Sequence, residues 1–297
     1  MVNPKILITK PSADYELIDS GNEEKLERYG KYVLRRPDPQ ALWKKSLSET
    51  EWKAADAFFY RDLDKKGWKK NHEMQNEWYA SFGEIKFNIS PTAFKHTGVF
   101  PEQEPNWQWT MEKIKNQIAK SKDKKPIRVL NLFGYTGGAT LAALSAGAEV
   151  THVDGSKSAV TWAKENAEIS GLEKKPVRWI IDDARKFVMR EIKRGGKYDG
   201  IIMDPPSFGR GGKGEIWKIE TDFIKLLDEC SKILSDNPLF FLINGYAAGY
   251  SSIAYYNTLK PIAEKYGGEF EMGELTILES KGGRLLPCGI FARWSKN

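Results

Sequence analysis

Apolar strand-like segments alternate with stretches of helical periodicity in the middle of the chain, at residues 128–133, 149–153, 177–181, 198–203 and 239–244. This alternation predicts βαβ units, in which each helix crosses back over a parallel sheet. Two later strand-like segments, 269–279 and 284–294, are joined by Lys281-Gly282-Gly283, which is typical of a hairpin turn. Five parallel strands and a terminal antiparallel hairpin favour an α/β fold with a Rossmann-like seven-stranded sheet over a dehydrogenase sheet.

The first 89 residues show a different pattern. Short strand-like pieces at 15–19, 32–36, 57–61 and 84–89 are separated by residues that favour turns. We therefore predict a small β-rich accessory domain over residues 1–89. The α/β domain is predicted over residues 90–297, beginning with an unusual loop at 94–105 and an amphipathic helix around 107–118.

The composition is ordinary for a globular protein, with 29% charged and 40% hydrophobic residues. Because no long apolar run and no signal-peptide pattern occurs, we expect a cytoplasmic protein. Cys230 and Cys288, the two cysteines, lack metal-ligand spacing, so neither a disulfide framework nor a metal site is expected. The net charge of +6 weakly favours a polyanionic partner, although basic clusters at 44–45, 65–70 and 120–125 are interpreted as solvated surface.

A glycine-rich turn, Phe133-Gly134-Tyr135-Thr136-Gly137-Gly138, follows the first of the parallel strands and opens a helix. Glycine lets backbone approach a ligand closely, and the N–H groups of the helix start point into the site. The spacing is neither that of a dinucleotide fold nor that of a P-loop, which disfavours NAD and ATP. The turn predicts a cofactor pocket; a tight turn without ligand is the alternative.

Acidic residues follow the next two strands. Asp154, before Gly155 and Ser156, is placed to accept hydrogen bonds from ribose hydroxyls, with a helix-start role as the alternative. In Asp182-Asp183-Ala184 a carboxylate can accept from an adenine amine, while the other can cap the following helix. Because ligands of open α/β sheets bind at the carboxyl ends of the strands, we expect these groups to line one crevice.

The fourth strand ends with Asp204-Pro205-Pro206-Ser207-Phe208. Consecutive prolines lack N–H donors, so we expect their carbonyls to be free to accept from a substrate amine, with Asp204 holding a nitrogen or oxygen near the methyl group. Phe208 can stack on a planar base taken out of its helix. A loop whose prolines only end a strand is the alternative.

These segments resemble the class I S-adenosylmethionine-dependent methyltransferases that modify bacterial large-subunit ribosomal RNA, the 23S rRNA methyltransferase I/K family. Residues 129–140, 154, 182–183 and 204–208 are similar to motifs I to IV, and 97–103 to the segment that folds over the cofactor, with departures at Pro101 and Glu102. The resemblance covers residues 90–294 and implies a class I methyltransferase sheet with S-adenosylmethionine as cofactor. The cofactor-binding residues expected on this basis are Thr97, Gly98, Phe100, Gln103, Phe133, Gly134, Tyr135, Thr136, Gly137, Asp154, Ser156, Asn166, Asp182, Asp183, Ala184 and Asp204.

One departure from the family bears on the reaction. Members that make 5-methylcytosine need a cysteine near the end of strand five, because carbon 5 must be activated by covalent addition. Here that stretch is Leu242-Ile243-Asn244-Gly245-Tyr246. Cys230 lies on an apolar helical stripe and Cys288 in the last strand, so covalent cytosine methylation is disfavoured.

We therefore expect an enzyme that methylates an RNA base, in ribosomal RNA, by direct in-line transfer without a cysteine adduct. The expected catalytic residues are Asp204, Pro205, Pro206, Phe208 and, as an auxiliary hydrogen-bond partner, Asn244; His96 is a candidate base. RNA is the expected partner, no membrane or metal is expected, and monomer and homodimer stay open. Methylation of a small molecule or protein, and a catalytically silent cofactor-binding RNA module, are the alternatives.

Overall fold

The computed structural model describes residues 3–61, 66–93, 95–121, 125–210, 214, 216–246 and 249–296. Its strands are β1 Lys5–Thr9, β2 Tyr15–Gly21, β3 Glu24–Tyr29, β4 Tyr32–Pro37, β5 Ala57–Arg61, β6 Lys66–Lys70, β7 Trp78–Phe82, β8 Ile85–Ile89, β9 Arg128–Leu132, β10 Glu149–Asp154, β11 Val177–Ile181, β12 Gly200–Met203, β13 Phe208–Arg210, β14 Ile216–Lys218, β15 Phe240–Gly245, β16 Glu269–Leu278 and β17 Leu285–Ser295. Its helices are α1 Glu49–Lys53, α2 Glu104–Lys120, α3 Gly138–Ser145, α4 Lys157–Ile169, α5 Ala184–Arg194, α6 Ile219–Lys232 and α7 Ser252–Tyr266, with a 3-10 helix at Pro101–Gln103.

The chain divides into two compact units. The first comprises residues 1–7, 105–274 and 289–297, and the second comprises residues 8–104 and 275–288. The chain passes from one unit to the other within β1, at the start of α2 and within β16 and β17. The functional division at residues 89 and 90 stays a prediction.

The large sheet has eight strands in the order β1-β16-β17-β15-β12-β9-β10-β11. Strands β15, β12, β9, β10 and β11 pair in parallel, and β17 runs antiparallel to β15. The predicted Rossmann-like α/β class is confirmed, but the sheet has eight strands rather than seven because β1 adds beside β16. Glycine at 273 permits this addition, since a Cβ there would stand 1.7 Å from the carbonyl oxygen of Lys5.

The core beneath this sheet contains the predicted apolar stripe of α6. Ile219, Phe223, Leu226, Cys230 and Ile233 are all buried, as the helical spacing of apolar residues indicates. Burial raises the pKa of the Cys230 thiol, which makes it a packing group rather than a nucleophile. No helix among the described residues combines the length and apolar character needed to cross a membrane.

The second unit contains a five-stranded sheet, β2-β3-β4-β5-β6, and the hairpin β7-β8. The four predicted pieces lie in strands β2, β4, β5 and β8, whereas β3, β6 and β7 were not predicted. Strand β3 was missed because its sequence is charged. The charge is accommodated by pairing: Glu27 is fully buried, accepts from Arg36 Nε at 2.9 Å and also accepts from the hydroxyls of Tyr15 and Tyr29. Because a charged residue occupies a buried position, β3 lacks the alternation of apolar and polar residues by which an amphipathic strand is identified.

The two lysines of the basic cluster at 44–45 differ: Lys44 is exposed, as expected, whereas Lys45 is structural. Lys45 forms ion pairs with Glu24 and Glu49, and its ammonium lies 4.0 Å from the ring centroid of the buried Trp52. Lys65 and Lys122–Lys124, from the other two clusters, lie outside the described residues.

Candidate active site

The glycine-rich turn between β9 and α3 has an unusual backbone. Phe133 and Tyr135 adopt φ of +58° and +47°, and Gly137, the residue before α3, adopts +92°. Residues other than glycine rarely adopt this left-handed conformation, and the backbone strain at each such residue costs about 1–3 kcal/mol of stability. Strain of this kind clusters at ligand sites, so the turn itself supports the predicted pocket.

Two glycines of the turn are required by buried rings. A Cβ at Gly134 would lie 2.5 Å from Cε1 of His152, and a Cβ at Gly138 would lie 2.4 Å from Cζ2 of Trp107. Because the rings of His152 and Trp107 are both buried, neither can move aside cheaply. The two rings therefore fix the path of the turn.

Hydrogen bonds between side chains of β9, α3 and β10 stabilise the elements on either side of the turn. Asn131 Nδ2 donates to Thr140 Oγ1 at 2.9 Å, and Thr140 Oγ1 lies 2.9 Å from His152 Nδ1. Burial lowers the pKa of His152 to about 3, so the ring is neutral at physiological pH. His152 was not predicted as part of the site, because a lone histidine within an apolar strand carries no motif.

Asn166, one of the predicted cofactor residues, supports the turn from α4. Its side chain is fully buried, and its Nδ2 donates to the carbonyl of Thr136 at 2.9 Å. This bond positions Thr136 and the start of α3. Direct contact of Asn166 with the cofactor stays a prediction.

Asp154 lies at the end of β10, where the sequence analysis placed a ribose-binding carboxylate. One oxygen accepts from the Tyr135 N–H at 2.9 Å and the other from the Ser156 N–H at 2.8 Å. Burial raises the pKa of Asp154, while these two N–H groups lower it. Since each carboxylate oxygen offers about two acceptor positions, these two bonds leave one position on each oxygen. Contact of Asp154 with a ribose stays a prediction. Ser156 also caps α4, its Oγ accepting from the Ala159 N–H.

The acidic pair after β11 has two separate roles. Asp183 caps α5 by accepting from the Lys186 N–H at 2.8 Å, as the alternative interpretation expected, and Ala184 is the first residue of that helix. Asp182 forms an ion pair with Arg190 and remains the better candidate for an adenine amine. The preceding Ile181 is 52% exposed and offers an apolar face for a flat ring, a feature that the sequence analysis missed.

The Asp204 loop lies next to the glycine-rich turn, because β12 pairs with β9 and the Asp204 N–H donates to the Leu132 carbonyl at 3.4 Å. Phe208 is 51% exposed, as a stacking surface must be. The structure differs from expectation at Pro206, whose carbonyl is not free: it accepts from Trp217 Nε1 at 2.6 Å. The Trp217 ring also packs 5.1 Å from Phe133, so one indole supports both loops.

Asn244, the next-to-last residue of β15, belongs to a buried chain of hydrogen bonds with Asn106 and Arg293. Arg293 Nη1 donates to Asn106 Oδ1 at 2.9 Å, and Asn106 Nδ2 donates to Asn244 Oδ1 at 2.8 Å. A guanidinium can only donate, so the oxygen of Asn106 must face Arg293 and its NH2 must face Asn244. Asn244 therefore accepts with its oxygen and turns its own NH2 away from the chain. The direction of donation along the chain is therefore fixed by Arg293, which can only donate and which also donates to Glu271.

The predicted covering segment belongs to the second unit and is firmly held there. Arg36 Nη1 donates to the Lys95 carbonyl, the Ser90 N–H to the Thr97 carbonyl, and Thr9 Oγ1 to the Pro101 carbonyl. Gly98 has φ of +98°, Phe100 precedes the 3-10 helix, and Gln103 ends it. Contact of Thr97, Gly98, Phe100 and Gln103 with the cofactor stays a prediction, and Phe94 lies outside the described residues.

His96, the candidate base, is neutral at physiological pH. Burial and the nearby cations of Arg36, Lys95 and Lys25 lower its pKa to about 4. Within the described part of the chain, no three His, Cys, Asp or Glu side chains are grouped so that they could hold a metal ion.

A cavity of about 660 Å³ lies at the opposite edge of the large sheet, beside Ile127, Gly147, Asp199 and Leu239. These residues lie one or two positions before β9, β10, β12 and β15, so the cavity faces the amino ends of the parallel strands. Ligands of open α/β sheets bind at the carboxyl ends. We therefore place the candidate site at the strained turn and not in this cavity.

Comparisons with known proteins agree with this geometry. Residues 59–253 match the S-adenosylmethionine-dependent methyltransferase family. The crystal structure of a SAM-dependent methyltransferase from Agrobacterium tumefaciens is 41% identical, with a TM-score of 0.92, and the match covers 99% of this chain and 94% of that one. Ribosomal RNA large subunit methyltransferase K of Neisseria meningitidis is 27% identical over 234 residues, which are 75% of this chain and 63% of that protein. Ribosomal RNA large subunit methyltransferase K/L of Shewanella baltica is 32% identical over 170 residues, 57% of this chain and 22% of that protein. The chain thus spans less than two thirds of the length of these two relatives.

Proposed function

Since the chain belongs to the S-adenosylmethionine-dependent methyltransferase family, we propose that it transfers the methyl group of S-adenosylmethionine to a base of ribosomal RNA. The observation that carries the proposal is the Asp204 loop, which sets a carboxylate and an exposed Phe208 beside the strained glycine turn. The names of the two ribosomal RNA methyltransferase relatives and the net charge of +6 support an RNA acceptor. We further propose a cytoplasmic location, which fractionation would test.

The residues present fit S-adenosylmethionine. We assign the ribose hydroxyls to the open acceptor positions of Asp154, the adenine amine to Asp182 and the adenine face to Ile181. The turn from Phe133 to Gly137 would hold the methionine part, because its backbone allows close approach. The bound cofactor supplies an electrophilic methyl group.

The chain itself has to align the acceptor with that methyl group and exclude water. We assign the acceptor's nitrogen or oxygen to Asp204 and the Pro205 carbonyl, and its planar face to Phe208. The NH2 group that Asn244 turns away from Asn106 is assigned as a hydrogen-bond donor at the same edge. Pro206 contributes through the bond from Trp217, which fixes the loop.

No cysteine adduct is needed in this scheme. The end of β15 carries Asn244 and Gly245, and Cys230 is buried in α6. Burial raises the thiol pKa of both Cys230 and Cys288, which keeps them protonated and unreactive. Direct transfer to a ring nitrogen, an amine or an oxygen is therefore the proposed reaction.

The test uses tritiated S-adenosylmethionine and ribosomal RNA from a strain that lacks the gene. We expect wild-type protein to label this RNA but not RNA from the parent strain. Asp204→Asn should lower labelling by about 100-fold, the usual size for a group that orients the reacting atoms. Asp228→Asn, on the exposed side of α6, is the matched control and should leave labelling unchanged.

A melting assay tests the cofactor separately. S-adenosylhomocysteine should raise the melting temperature of wild type and of Asp204→Asn, while NAD should raise neither. Label that enters protein or small molecules instead of RNA would refute the RNA acceptor but not the cofactor.

A further inference from the structure

Tyr255, in the first turn of α7, is a buried aromatic residue with an unusual hydroxyl. The side chain is 2% exposed, and its ring centroid lies 5.2 Å from that of Phe223 and 6.4 Å from that of Tyr250. Among the described residues, no hydrogen-bond partner exists for the Tyr255 hydroxyl oxygen. A buried hydroxyl without a partner costs free energy, and phenylalanine would fill the same space without that cost. The hydroxyl is therefore explained best by a partner that binds and leaves.

The position of this hydroxyl points to the acceptor. A Cβ at Gly245 would stand 2.6 Å from the Tyr255 hydroxyl oxygen and 2.4 Å from Cε2, so glycine at the end of β15 is what admits the ring. In the parallel pairing of β15 with β12, Ile243 lies opposite Met203, the residue before Asp204. Tyr255 and Asp204 therefore occupy the same edge of the sheet.

The protonation state of Tyr255 suits a donor. Burial, followed by the nearby charges of Asp204 and Tyr250, raises its pKa to about 12. At physiological pH the hydroxyl carries its proton and can donate to an acceptor atom while Asp204 receives from another.

We propose that the Tyr255 hydroxyl forms a hydrogen bond with the methyl-accepting base, as a further substrate-positioning contact opposite Asp204. The proposal rests on the proposed function, in that the edge between β12 and β15 is taken as the acceptor site. A planar base that carries a hydrogen-bond donor and a hydrogen-bond acceptor fits these groups, because its donor can bind the Asp204 carboxylate and its acceptor can bind the Tyr255 hydroxyl. Phe208 and Tyr250 are exposed aromatic rings of the same unit.

The test compares Tyr255→Phe with Tyr256→Phe, the neighbour that packs against Phe270. We expect Tyr255→Phe to lower kcat/KM for the RNA by about tenfold, the effect of losing one hydrogen bond. Because the hydroxyl has no partner in the folded chain, the urea midpoint of Tyr255→Phe should equal or exceed that of wild type. Its affinity for S-adenosylhomocysteine should equal that of wild type. Tyr256→Phe should change none of the three.

Each contrary result has a separate meaning. Equal transfer by wild type and Tyr255→Phe overturns the contact. A lower urea midpoint shows a structural bond, and weaker binding of S-adenosylhomocysteine shows a contact with the cofactor instead; both also overturn it. Transfer is measured on whole extract separated into RNA, protein and small molecules. If wild type labels a fraction other than RNA, the RNA proposal fails, while the comparison of the two variants on that fraction still decides the role of Tyr255.

Discussion

Exchanging Asn106 for aspartate should reverse the hydrogen-bonding character of Asn244 without unfolding the protein. An aspartate at 106 still accepts from Arg293, now with a full charge. It cannot donate to Asn244, so the Asn244 amide must rotate and donate to it instead. Asn244 then presents its oxygen, rather than its NH2, to the acceptor edge.

The magnitudes follow from the two bonds involved. Asn106→Asp keeps both bonds and makes them charge-assisted, so we expect the free energy of unfolding to stay within about 1–2 kcal/mol of wild type. Asn106→Leu leaves the Arg293 N–H and the Asn244 oxygen without partners in a fully buried place, at about 1–3 kcal/mol each, or about 2–6 kcal/mol together. Asn106→Asp should nevertheless lower kcat/KM by about 100-fold, as the loss of one oriented donor does.

Urea unfolding and methyl transfer to the RNA, run on wild type and both variants, test this reasoning. The expected pattern is a stable but weakly active Asn106→Asp beside a destabilised Asn106→Leu. Full activity of Asn106→Asp would show that the NH2 of Asn244 does not serve the acceptor. Equal destabilisation of the two variants would show that the amide chain does not have the polarity described.

Three further outcomes are expected. Gly134→Ala, whose new Cβ would lie 2.5 Å from the His152 ring, should lose about 1–3 kcal/mol and bind S-adenosylhomocysteine more weakly in calorimetry, whereas Gly155→Ala, with its nearest neighbour 3.9 Å away, should match wild type. The pKa of His152 is about 3 in the folded protein and 6.5 in the unfolded chain, so its contribution to stability is complete above pH 6.5 and falls by about 1.4 kcal/mol per pH unit towards pH 3. When the free energy of unfolding is measured by urea denaturation between pH 6.5 and pH 3, its slope against pH should be smaller by about one proton in His152→Phe than in wild type, and an unchanged slope would contradict this. Glu27→Gln should cost about 3–5 kcal/mol in urea unfolding because Arg36 is left buried without its counter-charge, and a loss below about 1 kcal/mol would be inconsistent with that burial.

The sequence was sufficient for the parallel strands of the large sheet and for the strand ends that carry the candidate site, but not for β1 at the edge of the sheet. Strand and helix periodicity is a local property, and the turn after β9 is coded by adjacent glycines, so 128–133 and 149–153 were placed to within a residue or so of β9 and β10. Because the carboxyl ends of parallel strands meet at one edge, the sequence alone predicts that Asp154 and Asp204 line one crevice. β3 was missed because its buried Glu27 makes a core strand look solvated.

The contacts that give the site its polarity came only from the tertiary structure. Asn106 and Asn244 are separated by 138 residues and Asn106 and Arg293 by 187, and no local pattern specifies that such residues meet. In the same way, the bond from Trp217 occupies the Pro206 carbonyl that the sequence suggested was free, and Gly245 makes room for Tyr255. The sequence by itself determined which strand ends form the candidate crevice, because strand periodicity and turns are short-range properties. The packing of distant side chains decided which of the donors and acceptors there are already occupied.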